Sequence, residues 1–335
     1  MKFENRKTLL SLIHNKRLEE VHIEEALKLA GTPPSLHGFL SFLRLMLIWV
    51  GALSLVMALL LFMAFNWQDL GRFTKFMMVE ISMFDAIAIY YVASKYERVQ
   101  QIALMLASIT LGILLALIGQ TYQTGADPWQ LFAFWALLMT PWAFVAKASA
   151  LWILWIVLVN VGAVLYYQKF DLSWFLLFEV RDNLLLLLFG INAFLWLAWR
   201  YLAQKYETFT QALTVRFLAF LTVSAISTLA IINLYNTSEM TVGYMLLYIV
   251  FLSLLYYVHR IRQLDIYMMS LFAMSLFFFL LNVVFRFIAF DGVSDITSFL
   301  LILIVSIAGL TTAIISWMKN LKKELRMRKE QYAKS

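Results

Sequence analysis

Ten near-continuous apolar runs, each of about 17–25 residues, dominate this chain of 335 residues. Only α-helices and closed β-barrels can satisfy every backbone hydrogen bond inside a bilayer, and barrel strands would alternate apolar and polar residues instead of forming continuous runs. With 63% hydrophobic and 14% charged residues, the chain also has too little polar surface for a soluble globule. We therefore predict an all-α polytopic integral membrane protein of about ten transmembrane helices. The predicted spans are residues 45–65, 76–93, 102–119, 129–146, 149–167, 184–203, 212–232, 241–258, 264–285 and 297–317.

The distribution of lysine and arginine predicts the orientation of these spans, because basic residues accumulate in cytoplasmic loops. If the chain crosses ten times, 22 of its 27 Lys and Arg residues lie on the side of both termini. The opposite side holds only Arg72, Lys75, Lys169, Arg181 and Arg286. Both termini are thus predicted to be cytoplasmic. The net charge of +7 then belongs to the inner face, where anionic lipid attracts it, and implies no nucleic-acid partner.

Three regions are predicted along the chain. Residues 1–38 form a cytoplasmic amphipathic hairpin of two short helices, residues 39–318 the transmembrane domain, and residues 319–335 a basic cytoplasmic tail. The hairpin is too small to bury much surface by itself. It is expected either to lie on the membrane and the cytoplasmic loops, or to serve as a handle for oligomerisation or partner docking.

A weak internal repeat appears at an offset of 110 residues. The sequence YVASKYE at residues 91–97, followed by Gln101, resembles YLAQKYE at residues 201–207, followed by Gln211. Both copies are predicted in cytoplasmic turns, which favours a parallel duplication of helical hairpins, spans 2–3 matching spans 6–7, over an inverted repeat. The alternative is that such a composition recurs at any aromatic-rich inner interface.

The segment of residues 119–131, GQTYQTGADPWQL, lies between spans 3 and 4 and faces outward in this topology. Asp127 and Pro128 read as the start of a helix, with the Asp127 carboxylate capping free N–H groups. The neutral polar and aromatic residues suit a sugar, a lipid head group or a peptide backbone. Alternatively, they satisfy the backbone of a re-entrant turn, and the tryptophans belong to the aromatic belt. The candidate ligand or partner rim comprises Asn66, Trp67, Gln120, Tyr122, Gln123, Thr124, Asp127, Trp129 and Gln130.

Span 2 carries two carboxylates, Glu80 about 9 Å and Asp85 about 16 Å inward from about Thr74 at ~1.5 Å per residue. Such residues are functional candidates by default, because each costs about 2.5–3.5 kcal/mol to insert. Five residues of helix place them roughly 140° apart, so they are not expected to act as an acid–base pair. Either a proton-linked role or a buried polar clamp fits them. Asn282 and Arg286 near the end of span 9 complete the intramembrane polar candidates.

Several function classes lose support. The chain has no cysteine, and its four histidines, His14, His22, His37 and His259, all lie outside the predicted spans. No HExxH, Walker-type glycine loop or GxSxG elbow is present. We therefore predict no metal site, no cofactor and no catalytic residue, and hence no enzyme.

The residues GQTYQTGADPWQLFAFWAL, the Asn66-Trp67 loop and the hairpin ahead of span 1 resemble an uncharacterised family of predicted bacterial inner-membrane proteins, classed as a domain of unknown function. The resemblance covers about the first half of the chain. It implies a protein of the bacterial inner membrane, with other small membrane proteins of similar architecture as partners. Membrane lipids are expected partners because of the basic inner face. It supplies no catalytic residues.

Two functions remain as hypotheses. The first is a membrane-embedded binding or transport protein for a polar or amphiphilic solute or lipid, using the outward rim. The second is a non-enzymatic scaffold or assembly factor that binds other membrane or envelope proteins. The first predicts a polar cavity connecting the rim to span 2, and the second predicts an exposed apolar or aromatic groove.

Overall fold

A computed structural model describes residues 36–65, 68–123, 125–170, 180–235, 241–262, 264–288 and 296–332. Within these ranges the chain is helical apart from short connections and contains no strand. The predicted all-α class is thereby confirmed. The expected N-terminal hairpin, Asn66, Trp67 and Thr124 lie outside the described residues.

Ten long helices, numbered here in chain order, account for the described residues. Nine of them, all except α2, are long and apolar enough to cross a membrane. Helix α2 has 21 residues at the position predicted for span 2, but Lys75, Glu80 and Asp85 make it the most charged of the predicted spans. The helices are α1 (Leu36–Phe65), α2 (Arg72–Val92), α3 (Glu97–Tyr122), α4 (Pro128–Ala146), α5 (Ser149–Phe170), α6 (Val180–Leu202), α7 (Ala212–Leu234), α8 (Thr241–Tyr256), α9 (Ile266–Phe287) and α10 (Ile296–Tyr332).

Two compact units divide the chain, residues 1–117 and residues 118–335. In the first unit, Val79 of α2 and Leu117 of α3 are buried together, with Phe76 and Ile113 packed against them. In the second unit, α7 packs on α5, α6, α8 and α9, so that 56% of its most apolar window is buried. Helix α10 contacts α9, yet none of its window is buried. The core of the second unit therefore surrounds α7.

The helix ends follow local sequence signals. Pro128 occupies the first turn of α4, as predicted, and Lys147 ends that helix in the left-handed region with φ of 47°. The Asp265 carboxylate caps α9 by accepting a hydrogen bond from the Tyr267 backbone N–H at 2.8 Å. The cap predicted for Asp127 is wrong, because its side chain makes no capping hydrogen bond and instead pairs with Lys169. A nearby ammonium group competes successfully for that carboxylate.

The predicted start of the basic tail and the two predicted repeat turns can each be compared with the observed helices. Residue 318 lies inside α10, which continues to Tyr332, so the basic tail extends a spanning helix without a break. The two repeat turns end their preceding helices alike: Ala93 N–H donates to the Ile89 carbonyl and Ala203 N–H to the Trp199 carbonyl, both at 2.8 Å. The second copy then adds a 3-10 turn, Glu207–Phe209, before α7. The duplication itself stays a prediction.

Candidate functional site

An apolar groove of about 470 Å³ lies among α4, α5 and α6. It extends along α4 from Trp129 to Thr140, a distance of about 16 Å at 1.5 Å per residue. The bilayer core is about 30 Å thick, so this groove spans roughly half of it. Its depth therefore matches one leaflet.

Small side chains make room for the groove. Ala133 and Ala136 of α4 face Gly162 and Ala163 of α5 along its walls. A Cβ added to Gly162 would lie 3.7 Å from the Cβ of Phe132, so the two helices approach closely there. Close approach at one point and small side chains beside it leave a hollow that larger residues would fill.

Trp129 forms the mouth of the groove, at the start of α4. Its ring packs edge-on against Tyr166 at 5.0 Å and against Phe170 at 6.2 Å between centroids. Its indole Nε1 is buried and has no hydrogen-bond partner in the described part of the chain. Beside it, the Lys169 ammonium lies 3.0 Å from the Asp127 carboxylate. The mouth thus combines one buried donor that has no described partner with one ion pair next to an apolar hollow.

The deep end of the groove carries one polar contact. The Trp155 indole N–H donates to the Thr140 hydroxyl at 3.1 Å, and that hydroxyl donates to the Ala136 carbonyl at 2.7 Å. Both groups are therefore satisfied within the protein. Everything between this contact and Trp129 is apolar except the Tyr166 side chain.

The other rim residues that the structure describes, Gln120, Tyr122, Gln123 and Gln130, do not line the groove. Gln120 and Tyr122 end α3 with exposed side chains, and Gln123 follows in the left-handed region with φ of 44°. Gly125 also has positive φ, 64°, which a residue without a Cβ adopts at little cost. Gln130 is half-buried in the first turn of α4. Of the predicted rim, the structure brings Trp129 to the groove and Asp127 to its mouth.

The two carboxylates of α2 are exposed, on the unit formed by residues 1–117. Asp85 borders a hollow of about 390 Å³ whose walls come from α2 and from Ala93, the residue that follows it. Neither Glu80 nor Asp85 makes a hydrogen bond or ion pair with any residue that the structure describes. The polar cavity predicted to connect the rim with span 2 stays a prediction.

Two asparagines of α5 and α6 bond to each other. Asn160 of α5 and Asn192 of α6 exchange amide hydrogen bonds of 3.1 and 2.6 Å. Each amide also donates to the carbonyl four residues earlier in its own helix. The pair is a closed polar clamp between two helices.

Asn282 and Arg286 lie together near the end of α9, with a residue that the sequence did not suggest. The Tyr235 hydroxyl, just beyond α7, donates to the Asn282 side-chain oxygen at 3.0 Å. Burial raises the pKa of Tyr235 above its ordinary value of 10.0, and the charge of Arg286 partly lowers it again. This cluster joins the ends of α7 and α9.

His259 corrects the expectation that all histidines lie outside the spans. The helix that begins with α8 continues as a π-helical turn, Tyr257–Arg262, and buries the His259 side chain within the candidate span Val242–Arg262. An Arg200 Nη1 lies 2.9 Å from His259 Nε2, and Nδ1 lies 3.1 Å from the Leu255 carbonyl. Because arginine can only donate, Nε2 accepts and the imidazole is neutral, with its proton on Nδ1. The run of His259, Arg260 and Arg262 had suggested a helix end.

These features define a polytopic helical membrane protein with an apolar groove that opens beside an ion pair and an unpartnered indole. Residues 11–152 match the model of a family described as predicted membrane protein (DUF2157), whose function is unknown. The resemblance predicted for the first half of the chain is confirmed over that range, which includes the rim segment and α4 but not Tyr166, Lys169 and Phe170 of the groove mouth. Neither a curated protein nor a solved structure matches the chain.

Proposed function

We propose that this protein binds an amphiphilic molecule of the membrane, with an apolar tail in the α4–α6 groove and a polar end beside Asp127 and Lys169. The observation that carries the proposal is the groove itself. Its volume of about 470 Å³ falls within the usual range for ligand sites, about 300–1,000 Å³. Its length suits an acyl chain of one leaflet.

The mouth supports an amphiphile in preference to a purely polar solute. A sugar or an ion would leave its hydrogen-bonding groups unsatisfied against Ala133, Leu137 and Val159. A lipid places its head group at the level of Trp129, where Lys169 supplies a positive charge. The predicted orientation puts this mouth at the outer leaflet of a bacterial inner membrane, with both termini cytoplasmic.

A groove-filling substitution tests this proposal. Ala133→Phe places a ring in the groove, and Ala313→Phe, on the exposed face of α10, adds the same ring outside it. After mild detergent extraction, native mass spectrometry should find a lipid adduct on the wild-type protein and on Ala313→Phe. The adduct on Ala133→Phe should fall by about tenfold, which corresponds to about 1.4 kcal/mol. Equal adducts on all three proteins would contradict the proposal.

A scaffold role is the second candidate, favoured by the exposed carboxylates of α2. Charged groups at membrane depth usually pair with one another or face an aqueous cavity, and Glu80 and Asp85 have no partner among the described residues. Donors from another membrane protein would supply that partner. Isolation from native membranes should then recover a complex with another membrane protein. The double variant Glu80→Gln with Asp85→Asn should weaken that complex. Recovery of the chain alone from native membranes would exclude this role.

A further inference from the structure

A second cavity, of about 410 Å³, lies between α7 and α9 and differs from the groove in its lining. Four hydroxyl side chains border it, those of Ser224, Ser227, Thr228 and Ser275. The rest of the wall is apolar and includes the rings of Phe220 and Phe278. No charged side chain belongs to this lining.

The hydroxyls lie close to the middle of the membrane. Ser224 is about 15 Å from the nearer end of α7, and Ser275 is about 14 Å from the nearer end of α9, at 1.5 Å per residue. Because the bilayer core is about 30 Å thick, this is near its midplane. Ester carbonyls of glycerolipids lie at the interface, so they do not reach this depth.

The hydrogen positions of the buried hydroxyls follow from their partners. Ser227 donates to the Val223 carbonyl, which can only accept. Because the Ser227 hydroxyl has only one proton, the contact of 2.7 Å between the Ser227 and Ser275 oxygens requires Ser275 to donate. The contact of 2.9 Å between Ser275 and Tyr248 then requires the tyrosine to donate. This directed chain holds the back wall of the cavity rigid and leaves it no free proton.

Ser224 and Thr228 are different. They are four residues apart on α7, hence neighbours on one face of the helix. Neither hydroxyl makes a hydrogen bond with a residue that the structure describes. Ser224 is half-buried and Thr228 exposed. The cavity therefore presents two neutral donors at a depth where water is scarce.

We infer that this cavity binds a quinone of the membrane, with its carbonyl oxygens accepting hydrogen bonds from Ser224 and Thr228. Neutral donors select a neutral acceptor, since nothing in the lining would balance an ionised one. A flat ring packs between Phe220 and Phe278, and an apolar tail follows the lipid-facing side. The site lies on α7 and α9, so it is independent of the α4–α6 groove.

The test uses the full-length protein in lipid nanodiscs and a short-tailed benzoquinone with isotope-labelled carbonyl carbons. Infrared difference spectra should show a carbonyl band shifted to lower frequency on saturable binding. Ser224→Ala with Thr228→Val should weaken the affinity by about tenfold, the expected effect of two neutral hydrogen bonds. Ser224→Phe, which fills the cavity, should abolish the shifted band.

Thr312→Val is the matched control, because Thr312 is an exposed α10 threonine whose hydroxyl bonds to the Ala308 carbonyl of its own helix. It should leave both the band and the affinity unchanged. The inference is overturned if binding does not saturate above that of empty nanodiscs, if the double variant binds as tightly as wild type, or if Thr312→Val weakens binding equally. Since Ala133→Phe lies elsewhere, it should not alter quinone binding.

Discussion

Helix α2, which corresponds to predicted span 2, and the α5–α6 pair both carry strongly polar side chains, and these side chains find partners in one case and not in the other. Asn160 and Asn192 bond to each other and to their own helices, so every amide proton has an acceptor. Glu80 and Asp85 lie exposed on α2 without a described partner. The amide pair therefore has a structural explanation inside the fold, whereas the described residues supply none for Glu80 and Asp85.

The largest expected effect concerns the insertion of α2. Replacing Asp85 by Leu should make insertion of that segment more favourable by about 2.5–3.5 kcal/mol, because a carboxylate near the centre of a span is replaced by an apolar chain. The insertion free energy can be measured by placing the segment in a host protein whose glycosylation pattern reports whether the segment has inserted. Ser82→Leu is the control, since the Ser82 hydroxyl already bonds to the Met78 carbonyl. If Asp85→Leu changes the insertion free energy no more than Ser82→Leu does, the contrast between the α2 carboxylates and the asparagine amides is contradicted.

The amide pair should show its effect on stability instead. Asn192→Ala leaves the Asn160 side-chain oxygen and one of its amide protons without their partner, and should lower the free energy of unfolding by about 1–3 kcal/mol. Replacing both asparagines by Leu should recover much of that loss. A double-mutant cycle measured by unfolding in detergent should give a coupling energy of about 0.6–1.7 kcal/mol. Strict additivity of the two single variants would show that the pair is not a clamp.

The smallest effect is expected at Tyr235, which has a partner and remains partly exposed. Because the pKa of Tyr235 is raised in the folded protein, its stabilising contribution is complete below pH 10.0 and is lost as pH rises through the folded pKa. Above pH 10.0 the wild type should therefore lose stability slightly faster than Tyr235→Phe. Arg286→Gln should raise the Tyr235 pKa further. A pH titration of the tyrosinate absorbance measures this pKa, and the part of the signal that is lost in Tyr235→Phe belongs to Tyr235. A fall of that pKa would contradict the role of the Arg286 charge.

Much of the fold followed from the sequence, because length and hydropathy alone decide where helices can span a bilayer. Each predicted span coincides with an observed helix, and Pro128 begins α4 as predicted. The predictions that were wrong concern which side chains bond to each other. Asp127 pairs with Lys169, more than forty residues further along the chain, and no local pattern predicts such a contact.

The site was only partly predictable for a similar reason. Trp129 was part of the predicted rim, but the groove below it is a packing feature shared by three helices, built where Ala133, Gly162 and Ala163 face one another. Small residues at one face of a span are common, so this pattern carried no signal on its own. His259 was missed because its basic neighbours resemble a helix end, whereas a π-helical turn continues through them.

The central claim is that the α4–α6 groove holds a lipid tail, and photo-crosslinking tests it most directly. A phospholipid with a photoreactive group midway along its acyl chain would be incorporated into membranes that contain the protein. The proposed function predicts crosslinked peptides concentrated on Ala133, Leu137, Val159 and Ala163, and their loss in Ala133→Phe. Crosslinks spread equally over the exposed face of α10 and the groove would contradict it.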